Sequence, residues 1–317
     1  MKKKVYKKFK KIRNKLFIKI NKFGYFFAYF VIRFCVAKSK VKSVTSSLKG
    51  NYNFISKDKF YKIVIYNKEF FKKEIYNINF IQKNHQSLID FIPKYNYVNS
   101  KLFILASCSL LDDPINDKQY CYAKIILQKY NNFSRRNNFK ISSMSNFNNG
   151  LEIINNIYKL NNKQNICEEI KKILDNFLSN ELFNIGPCHG DFHSKNILQN
   201  DQNKVFLIDY DCFRTESIQE LDALYFIIQK IIDDNPGIWW HEAIHDFENK
   251  FLNKEKQYQE FLSKFITQDL NKIILLYFLD RIGQDYLYDK SIDNLNHELI
   301  IKTTNKLLDR LYASNNS

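Results

Sequence analysis

Residues 188–211 concentrate carboxylate, amide and imidazole side chains in one short stretch of the sequence. Asp191 and Asn196 lie five residues apart, and Asp209 follows thirteen residues after Asn196, at the end of the apolar segment 206–208. Phosphoryl transfer from ATP needs one carboxylate to orient the acceptor hydroxyl and take its proton. It also needs hard oxygen ligands for the Mg²⁺ that bridges the phosphates. The residue types and spacing therefore favour this chemistry, with ATP and Mg²⁺ as the expected cofactors.

The order of residues in this stretch resembles a motif of the aminoglycoside phosphotransferase and choline kinase family. That family carries H-G-D-x-x-x-x-N and then an apolar strand that ends in I-D. The matching residues here are His189, Gly190, Asp191, Asn196, Ile208 and Asp209. The resemblance covers about residues 45–290, and it implies that Asp191 is the catalytic base and that Asn196 and Asp209 bind Mg²⁺. A chance polar loop in a helical protein is the alternative, because a motif alone is a hypothesis.

Four further residues near the motif are expected to support the site. His189 and His193 flank Asp191, and Asp211 stands where the family often carries another acidic residue. Asp222, in the segment ELDALY, resembles a structural aspartate that fixes the catalytic loop and does not touch substrate.

The resemblance also implies a strand lysine that pairs with a glutamate on the next helix. Lys62 is the candidate lysine, and Glu74 follows it by twelve residues. Lys59 is an alternative because sequence fixes strand register poorly, and Lys62 could also be a solvated strand residue. Gly50 is the candidate glycine of a phosphate-binding loop, and residues 126–130 are the candidate hinge that binds adenine.

Apolar patterns predict the elements that position these residues. Strands are predicted at 60–66, 101–108 and 122–128, and a hairpin at 195–209. Helices are predicted at 67–84, 151–160, 166–182, 218–232, 241–252, 264–287 and 294–311. This order favours an α+β class. The resemblance implies a protein-kinase-like, two-lobed fold with a small β-rich N-lobe and a larger, mostly helical C-lobe. The predicted boundaries are a basic amphipathic segment 1–42, an N-lobe 43–130 and a C-lobe 131–317.

Positive charge is concentrated at the start of the chain. The net charge is +16, and residues 1–57 hold 17 Lys or Arg without any Asp or Glu. An apolar run over 23–32 follows the densest lysines; it is too short to span a bilayer but suits a helix at the membrane surface. Residues 1–42 could therefore bind an anionic membrane, or form a first helix that packs on the body. A nucleic-acid-binding arm is possible but not favoured.

Composition excludes several other classes of protein. The 28 Phe and 20 Tyr exclude a wholly disordered chain, and seven Gly with four Pro exclude a collagen-like repeat. Six cysteines without a C-x-x-C pair argue against a zinc ribbon or a disulfide scaffold. They favour a reducing compartment, so the predicted location is the cytoplasm, including the inner face of the membrane. A cleaved signal peptide is not favoured because the basic region is long and no A-x-A site follows it.

Several hydroxyl-bearing acceptors fit the second half of the chain, where residues 189–317 hold 14 basic and 21 acidic residues. An acidic surface attracts cations, and the two tryptophans, Trp239 and Trp240, could bind a quaternary ammonium group. Choline, ethanolamine and the polycationic aminoglycosides are therefore candidates. The basic, aromatic N-terminal segment instead favours a sugar hydroxyl on a membrane-held glycolipid or lipopolysaccharide precursor. Either tryptophan could also be a core residue or a loop anchor.

Two other classes of function compete with the kinase. His241-Glu242-Ala243-Ile244-His245 matches the H-E-x-x-H zinc-protease helix, although a third metal ligand is only loosely placed. The alternative, which is favoured, is that His241, Glu242 and His245 lie on a mostly exposed helix face. A pseudokinase, or an adaptor that binds membrane or nucleic acid through residues 1–57, are the non-enzymatic alternatives. The presence of Asp191, Asn196 and Asp209 disfavours the pseudokinase.

Overall fold

The computed structural model describes residues 28, 31, 42–46, 51–55, 59–65, 68–99, 103–109, 116–138, 144–163, 166–253, 255–289 and 296–315. The chain divides into two compact units. Unit 1 runs to Pro114 and includes Ile197–Asp211; unit 2 comprises Ile115–Asn196 and Cys212–Ser317. In the part of the chain that is described, no helix is long and apolar enough to cross a membrane.

Unit 1 is built on a five-stranded antiparallel sheet with the strand order β1-β2-β3-β5-β4. The strands, numbered in chain order, are β1 (Lys42–Ser46), β2 (Asn51–Ile55), β3 (Lys59–Val64), β4 (Asn96–Asn99) and β5 (Ile104–Ser109). Helix α1 (Lys68–Asn84) and a 3₁₀ turn (Gln86–Phe91) lie between β3 and β4 in the sequence. A separate hairpin consists of β8 (Ile197–Gln199) and β9 (Val205–Leu207).

The two faces of strand β3 contact different partners. On one face, Val64 packs with Phe71 of α1 and with Ile104 and Ala106 of β5. Phe60 lies on the same face, since alternate residues of a strand point the same way, and it joins a cluster with Cys108, Leu198, Phe206 and Ile208. The hairpin therefore belongs to unit 1 because its apolar side chains complete the core of the sheet.

The opposite face of β3 is covered by residues from the N-terminal apolar run. Tyr61 and Ile63 form a buried cluster with Phe54, Ala28 and Val31. Ala28 and Val31 are helical, and their side chains are only 0% and 6% exposed. Ala28 and Val31 therefore pack on the body of the protein. This agrees, at these two positions, with the predicted alternative to membrane binding.

Unit 2 is mostly helical and carries a small sheet with the order β10-β7-β6. Its strands are β6 (Arg135–Asn137), β7 (Phe183–Cys188) and β10 (Arg214–Ile218). The helices described here are α2 (Asn116–Asn131), α3 (Ser145–Leu160), α4 (Cys167–Asn180), α5 (Glu220–Asp234), α6 (Trp240–His245), α7 (Lys256–Phe265), α8 (Leu270–Asp289) and α9 (His297–Asn315). A π-helical turn spans Phe247–Leu252.

Two glycines let helices α3 and α8 approach closely. A Cβ atom at Gly150 would lie 2.2 Å from the carbonyl oxygen of Leu279, and one at Gly283 would lie 2.1 Å from that of Asn146. Any side chain at either position would overlap the backbone of the facing helix. The pair therefore fixes the position of α8, which carries several residues of the candidate site.

The predicted α+β class is confirmed, and most predicted helices, strands and the hairpin are present. Three predictions differ from the structure. Residues 122–128 lie inside helix α2 instead of a strand, and the helix predicted from 264 begins at Leu270, after α7 has ended at Phe265. The border between the units lies at Pro114–Ile115 and not near 130, because α2 contacts β7 and α5 of unit 2.

Candidate active site

Unit 1 brings together the predicted lysine, the predicted glutamate and one predicted metal ligand. Lys62 Nζ donates a hydrogen bond to Glu74 Oε2 at 2.7 Å and another to Asp209 Oδ1 at 2.9 Å. Lys62 is 4% exposed and Glu74 is 1% exposed. Lys59, the alternative lysine, is exposed at the start of β3. The structure therefore selects Lys62 as the lysine that pairs with the helix glutamate.

The ammonium group of Lys62 contacts two carboxylates, those of Glu74 and Asp209. These charges, together with burial, shift the pKa values of Lys62 and Glu74. Burial alone would lower the pKa of Lys62, but the Asp209 and Glu74 carboxylates raise the pKa of Lys62 above its ordinary value. Burial, assisted by Asp209 and Asp211, raises the pKa of Glu74 to about 7 against the attraction of Lys62. Lys62 is therefore a permanent cation, and the neighbouring carboxylates hold it in place.

The backbone at Asp209 has an unusual conformation that helix α1 supports. Its φ is 68°, in the left-handed region where a non-glycine residue costs about 1–3 kcal/mol. Asn77 Nδ2 of α1 donates a hydrogen bond of 2.7 Å to the carbonyl oxygen of Tyr210. Asp211, two residues after Asp209, is buried at 3% exposure. The same helix thus carries Glu74 and the side chain that anchors the turn after Asp209.

In unit 2, Asp222 holds the loop that carries Asp191. Asp222 Oδ2 accepts the backbone N–H of His189 at 2.7 Å, and Oδ1 accepts that of Gly190 at 2.9 Å. Burial raises the pKa of Asp222, while His189 and these two N–H groups favour its ionised form. Asp222 lies in the first turn of α5. In both of these contacts its partner is a backbone N–H group. The two carboxylate oxygens of Asp222 therefore fix the backbone of residues 189 and 190.

Gly190 and helix α8 fix the same loop from other directions. Gly190 has a φ of +77°, and a Cβ atom there would lie 2.4 Å from the carbonyl oxygen of Cys212. Gln284 Nε2 donates a hydrogen bond of 2.8 Å to the Gly190 carbonyl oxygen, and Tyr225 donates one of 2.7 Å to Gln284 Oε1. The loop before Asp191 is therefore anchored through both its N–H and its C=O groups.

Basic side chains surround the Asp191 carboxylate within unit 2. His193 Nε2 lies 3.6 Å from Oδ2, and Arg281 Nη1 lies 3.3 Å from Oδ1. Burial opposes ionisation, but His193, Arg281 and His189 together hold the pKa of Asp191 well below its ordinary value. Asp191 is therefore an anion throughout the physiological pH range.

Asn196 closes the loop that begins at Asp191. Its Nδ2 donates a hydrogen bond of 2.9 Å to the Asp191 carbonyl oxygen, and its backbone N–H donates one of 3.0 Å to the His193 carbonyl oxygen. Because the amide nitrogen is used inside the loop, the amide oxygen is the atom of this side chain suited to a cation. The carboxylate of Asp209 offers the same kind of hard oxygen donor. The chemistry of these two residues fits Mg²⁺.

The two tryptophans have opposite environments. Trp239 is 67% exposed, whereas Trp240 is 7% exposed and its Nε1 donates a hydrogen bond of 2.7 Å to Asp285 Oδ2. Only Trp239 presents a ring to solvent, so the structure gives the adjacent tryptophans different surroundings.

The H-E-x-x-H residues have other partners. Glu242 Oε2 accepts the backbone N–H of Trp239 at 2.9 Å and so caps helix α6. His241 is 7% exposed, which differs from the exposed helix face predicted for it, and His245 Nδ1 lies 3.2 Å from Thr303 Oγ1. Within the described ranges, no three His, Cys, Asp or Glu side chains are arranged to hold a metal ion.

Two further predictions concern nucleotide binding: the glycine of a phosphate-binding loop and the hinge that binds adenine. Gly50 lies outside the described residues. Residues 126–130, predicted as the adenine-binding hinge, lie within helix α2. These residues form the end of the helix, where the N–H groups are bonded to carbonyl groups of the preceding turn, so the segment is helical and the predicted hinge connection is wrong.

Sequence reasoning missed the polar residues that α8 brings to the loop at residues 189–191. Arg281 and Gln284 contact residues 191 and 190 across 90 and 94 positions in sequence. Asp280 is fully buried and pairs with Arg214 at 2.9 Å. The available signal was a set of polar residues in an otherwise apolar helix, and it could not reveal their partners.

Solved structures that match this chain in fold include small-molecule kinases. Choline kinase LicA from Streptococcus pneumoniae matches with a TM-score of 0.50 and 14% identity, covering 89% of this chain and 98% of that one. The ADP-bound aminoglycoside phosphotransferase APH(2'')-Ib matches with a TM-score of 0.51 and 14% identity, covering 88% and 95%. No family model matches the sequence, and no curated protein matches it. The protein-kinase-like fold implied by the motif is thus confirmed.

Proposed function

We propose that this protein is an ATP-dependent phosphotransferase that moves the γ-phosphate to a hydroxyl group of a small molecule or glycan. The observation that carries the proposal is the pairing of buried Lys62 with Glu74 and Asp209. A strand lysine paired with a helix glutamate, beside a carboxylate that can bind Mg²⁺, is the arrangement with which kinases hold ATP phosphates. The shared fold supports it independently.

Each predicted residue has a definite role in this proposal. Lys62 binds the phosphates, and Glu74 keeps its ammonium group in place. Asn196 and Asp209 would hold Mg²⁺, which supplies charge neutralisation on the phosphates when bound. Asp191 accepts the proton of the acceptor hydroxyl and orients it for attack. Its low pKa means that Asp191 contributes mainly by orientation, which suits a loose transition state with late proton transfer.

The test measures transfer from labelled MgATP to a panel of choline, ethanolamine, aminoglycosides and core sugars. Asp191→Asn should lower kcat by about 10³-fold or more, since general base and orientation are both lost. Nucleotide binding should stay near wild type. Asp175→Asn is the matched control, because Asp175 is exposed on α4. Full activity in Asp191→Asn would refute the assignment of the base.

A second pair of variants tests the nucleotide side. Lys62→Met should weaken ATP turnover strongly, whereas Lys59→Met, at the exposed end of the same strand, should behave like wild type. Equal effects of the two substitutions would refute the choice of Lys62. A chain that binds ATP without any turnover would instead be the pseudokinase of the alternative hypothesis.

The acceptor is proposed only as a class. Neighbours in fold include a choline kinase and an aminoglycoside phosphotransferase, so both cationic acceptors belong in the panel. Exposure of Trp239 favours it over buried Trp240 as an aromatic contact for a quaternary ammonium group. If choline is the acceptor, Trp239→Ala should raise the KM for choline and leave the KM for ATP unchanged.

Membrane binding by residues 1–42 is a separate proposal. The burial of two side chains in this segment limits which of its residues could contact lipid. Ala28 and Val31 are packed against β3, so these side chains cannot also enter a lipid surface. The lysines before them remain the part suited to an anionic membrane. Vesicles with and without anionic lipid would test this, because binding through lysines should disappear with neutral lipid.

A further inference from the structure

Arg281 is held on three sides within unit 2. Its Nη1 lies 3.3 Å from Asp191 Oδ1, and its Nε lies 3.3 Å from Asp285 Oδ1. Its guanidinium carbon lies 5.7 Å from the centroid of the Tyr225 ring. The side chain is 24% exposed. A planar guanidinium with two carboxylates and an aromatic face around it has little freedom to rotate.

Asp285 is itself fixed by the buried tryptophan. One of its oxygens, Oδ2, accepts the Trp240 indole N–H at 2.7 Å, which leaves Oδ1 for Arg281. The indole packs against the Phe278 ring at 6.0 Å and the His241 ring at 5.3 Å. A continuous set of contacts therefore runs from Trp240 through Asp285 and Arg281 to Asp191.

We propose that Arg281 is a positioning residue that fixes the carboxylate of Asp191, and that Asp285 and Trp240 hold Arg281 in place. The inference rests on the proposed phosphotransferase function. In this inference, Trp240 holds Arg281 in place through Asp285. This role replaces the contact with the acceptor that was predicted for Trp240 from the sequence. Fixing the carboxylate matters because misplacement of a catalytic group by about 1 Å can cost on the order of 100-fold in rate.

Kinetics with MgATP, and with whichever member of the acceptor panel supports turnover, separate positioning from acceptor binding. Arg281→Gln should lower kcat about 100-fold with the KM for ATP unchanged, and Arg281→Lys should restore part of the loss. Trp240→Phe removes one hydrogen bond and should lower kcat without raising the acceptor KM. Wild-type kcat in Arg281→Gln, or a raised acceptor KM with unchanged kcat in Trp240→Phe, would overturn the inference.

Two matched variants control for lost stability. Arg310 of α9 forms a comparable partly buried ion pair with Glu248 at 2.9 Å, so Arg310→Gln should keep the wild-type kcat. Tyr158 donates a hydrogen bond of 2.7 Å to Asn305 Oδ1, so Tyr158→Phe removes a hydrogen bond of an aromatic side chain outside the contacts that link Trp240 to Asp191. A fall in kcat in both controls equal to that in Arg281→Gln and Trp240→Phe would indicate a merely structural effect.

An NMR measurement tests the contacts without any activity. The full chain contains two tryptophans, so its ¹H–¹⁵N spectrum holds two indole signals. The Trp240 signal should exchange slowly with solvent and the Trp239 signal rapidly. Arg281→Gln and Asp191→Asn should both shift the Trp240 signal, and Arg310→Gln should not; an unshifted signal in Arg281→Gln would refute the link. If wild type transfers phosphate to no acceptor, the proposed function fails, while these spectra still decide the contacts.

Discussion

Replacement of Gly190 by alanine should damage the catalytic loop in two separable ways. The residue has a φ of +77°, and holding a non-glycine residue there costs about 1–2 kcal/mol. The new Cβ would also lie 2.4 Å from the backbone oxygen of Cys212, about 1 Å inside normal contact. Relief of that overlap must displace the loop, which adds about 1–3 kcal/mol. The total expected loss of unfolding free energy is therefore about 2–5 kcal/mol.

The effect of Gly190→Ala on transfer should exceed its effect on stability at temperatures where the variant is folded. A shift of about 1 Å in the backbone beside Asp191 should lower kcat about 100-fold. Gly237→Ala is the matched control, because Gly237 has a φ of +99° and nothing lies within 4 Å of the position that a Cβ atom would take there.

Gly237→Ala should show the conformational cost alone and keep the wild-type kcat. Urea denaturation and steady-state transfer, measured on the same samples, give both quantities. Equal stability losses in the two variants, or an unchanged kcat in Gly190→Ala, would refute the idea that contact with Cys212 confines this position to glycine.

Three other outcomes are expected. Asp222→Asn should cost about 1–3 kcal/mol in urea denaturation and reduce transfer, because the amide can accept only one of the two loop N–H groups; an unchanged stability would contradict this. Burial raises the pKa of Glu220 to about 7 from 4.5, so the folded state keeps a proton that the unfolded chain loses and stability falls as pH rises between these values. Glu220→Gln should flatten that dependence, by up to about 3 kcal/mol between pH 5 and 8; parallel pH curves would contradict it. Trp240→Ala should lower the free energy of unfolding by about 3–5 kcal/mol and Trp239→Ala by less than about 1 kcal/mol, because Trp240 is 7% exposed and Trp239 is 67% exposed. Similar losses for the two variants in thermal or urea unfolding would contradict this argument from exposure.

Local patterns predicted the parts of the fold whose signals are local. The strand around Lys62, the helix that carries Glu74 and the hairpin before Asp209 all have clear apolar periodicity or turn residues. Residues 122–128 of helix α2 were predicted as a strand because they form an apolar run of strand length. Its helical state depends on packing against β7 and α5, which no local pattern contains.

The residues of the candidate site also divide into those that a local pattern predicts and those that depend on tertiary packing. Lys62, Glu74 and Asp209 were predicted, and the structure brings them into contact within unit 1. Arg281 and Gln284 were missed because their partners lie 90 and 94 residues away and α8 has no motif of its own. Residue types in a short loop reveal chemistry, but the groups that hold the loop in place are set by tertiary packing.

The alternation along β3 has a consequence for how its sequence can change. Even-numbered residues 60, 62 and 64 share one side of the sheet, and 61 and 63 face the buried cluster with Ala28 and Val31. A single-residue insertion before Phe60 would swap the two sets, and would drive the Lys62 ammonium group into hydrocarbon while turning the ring of Tyr61 toward Glu74. This strand can therefore exchange side chains of similar size during evolution, but it cannot gain or lose one residue.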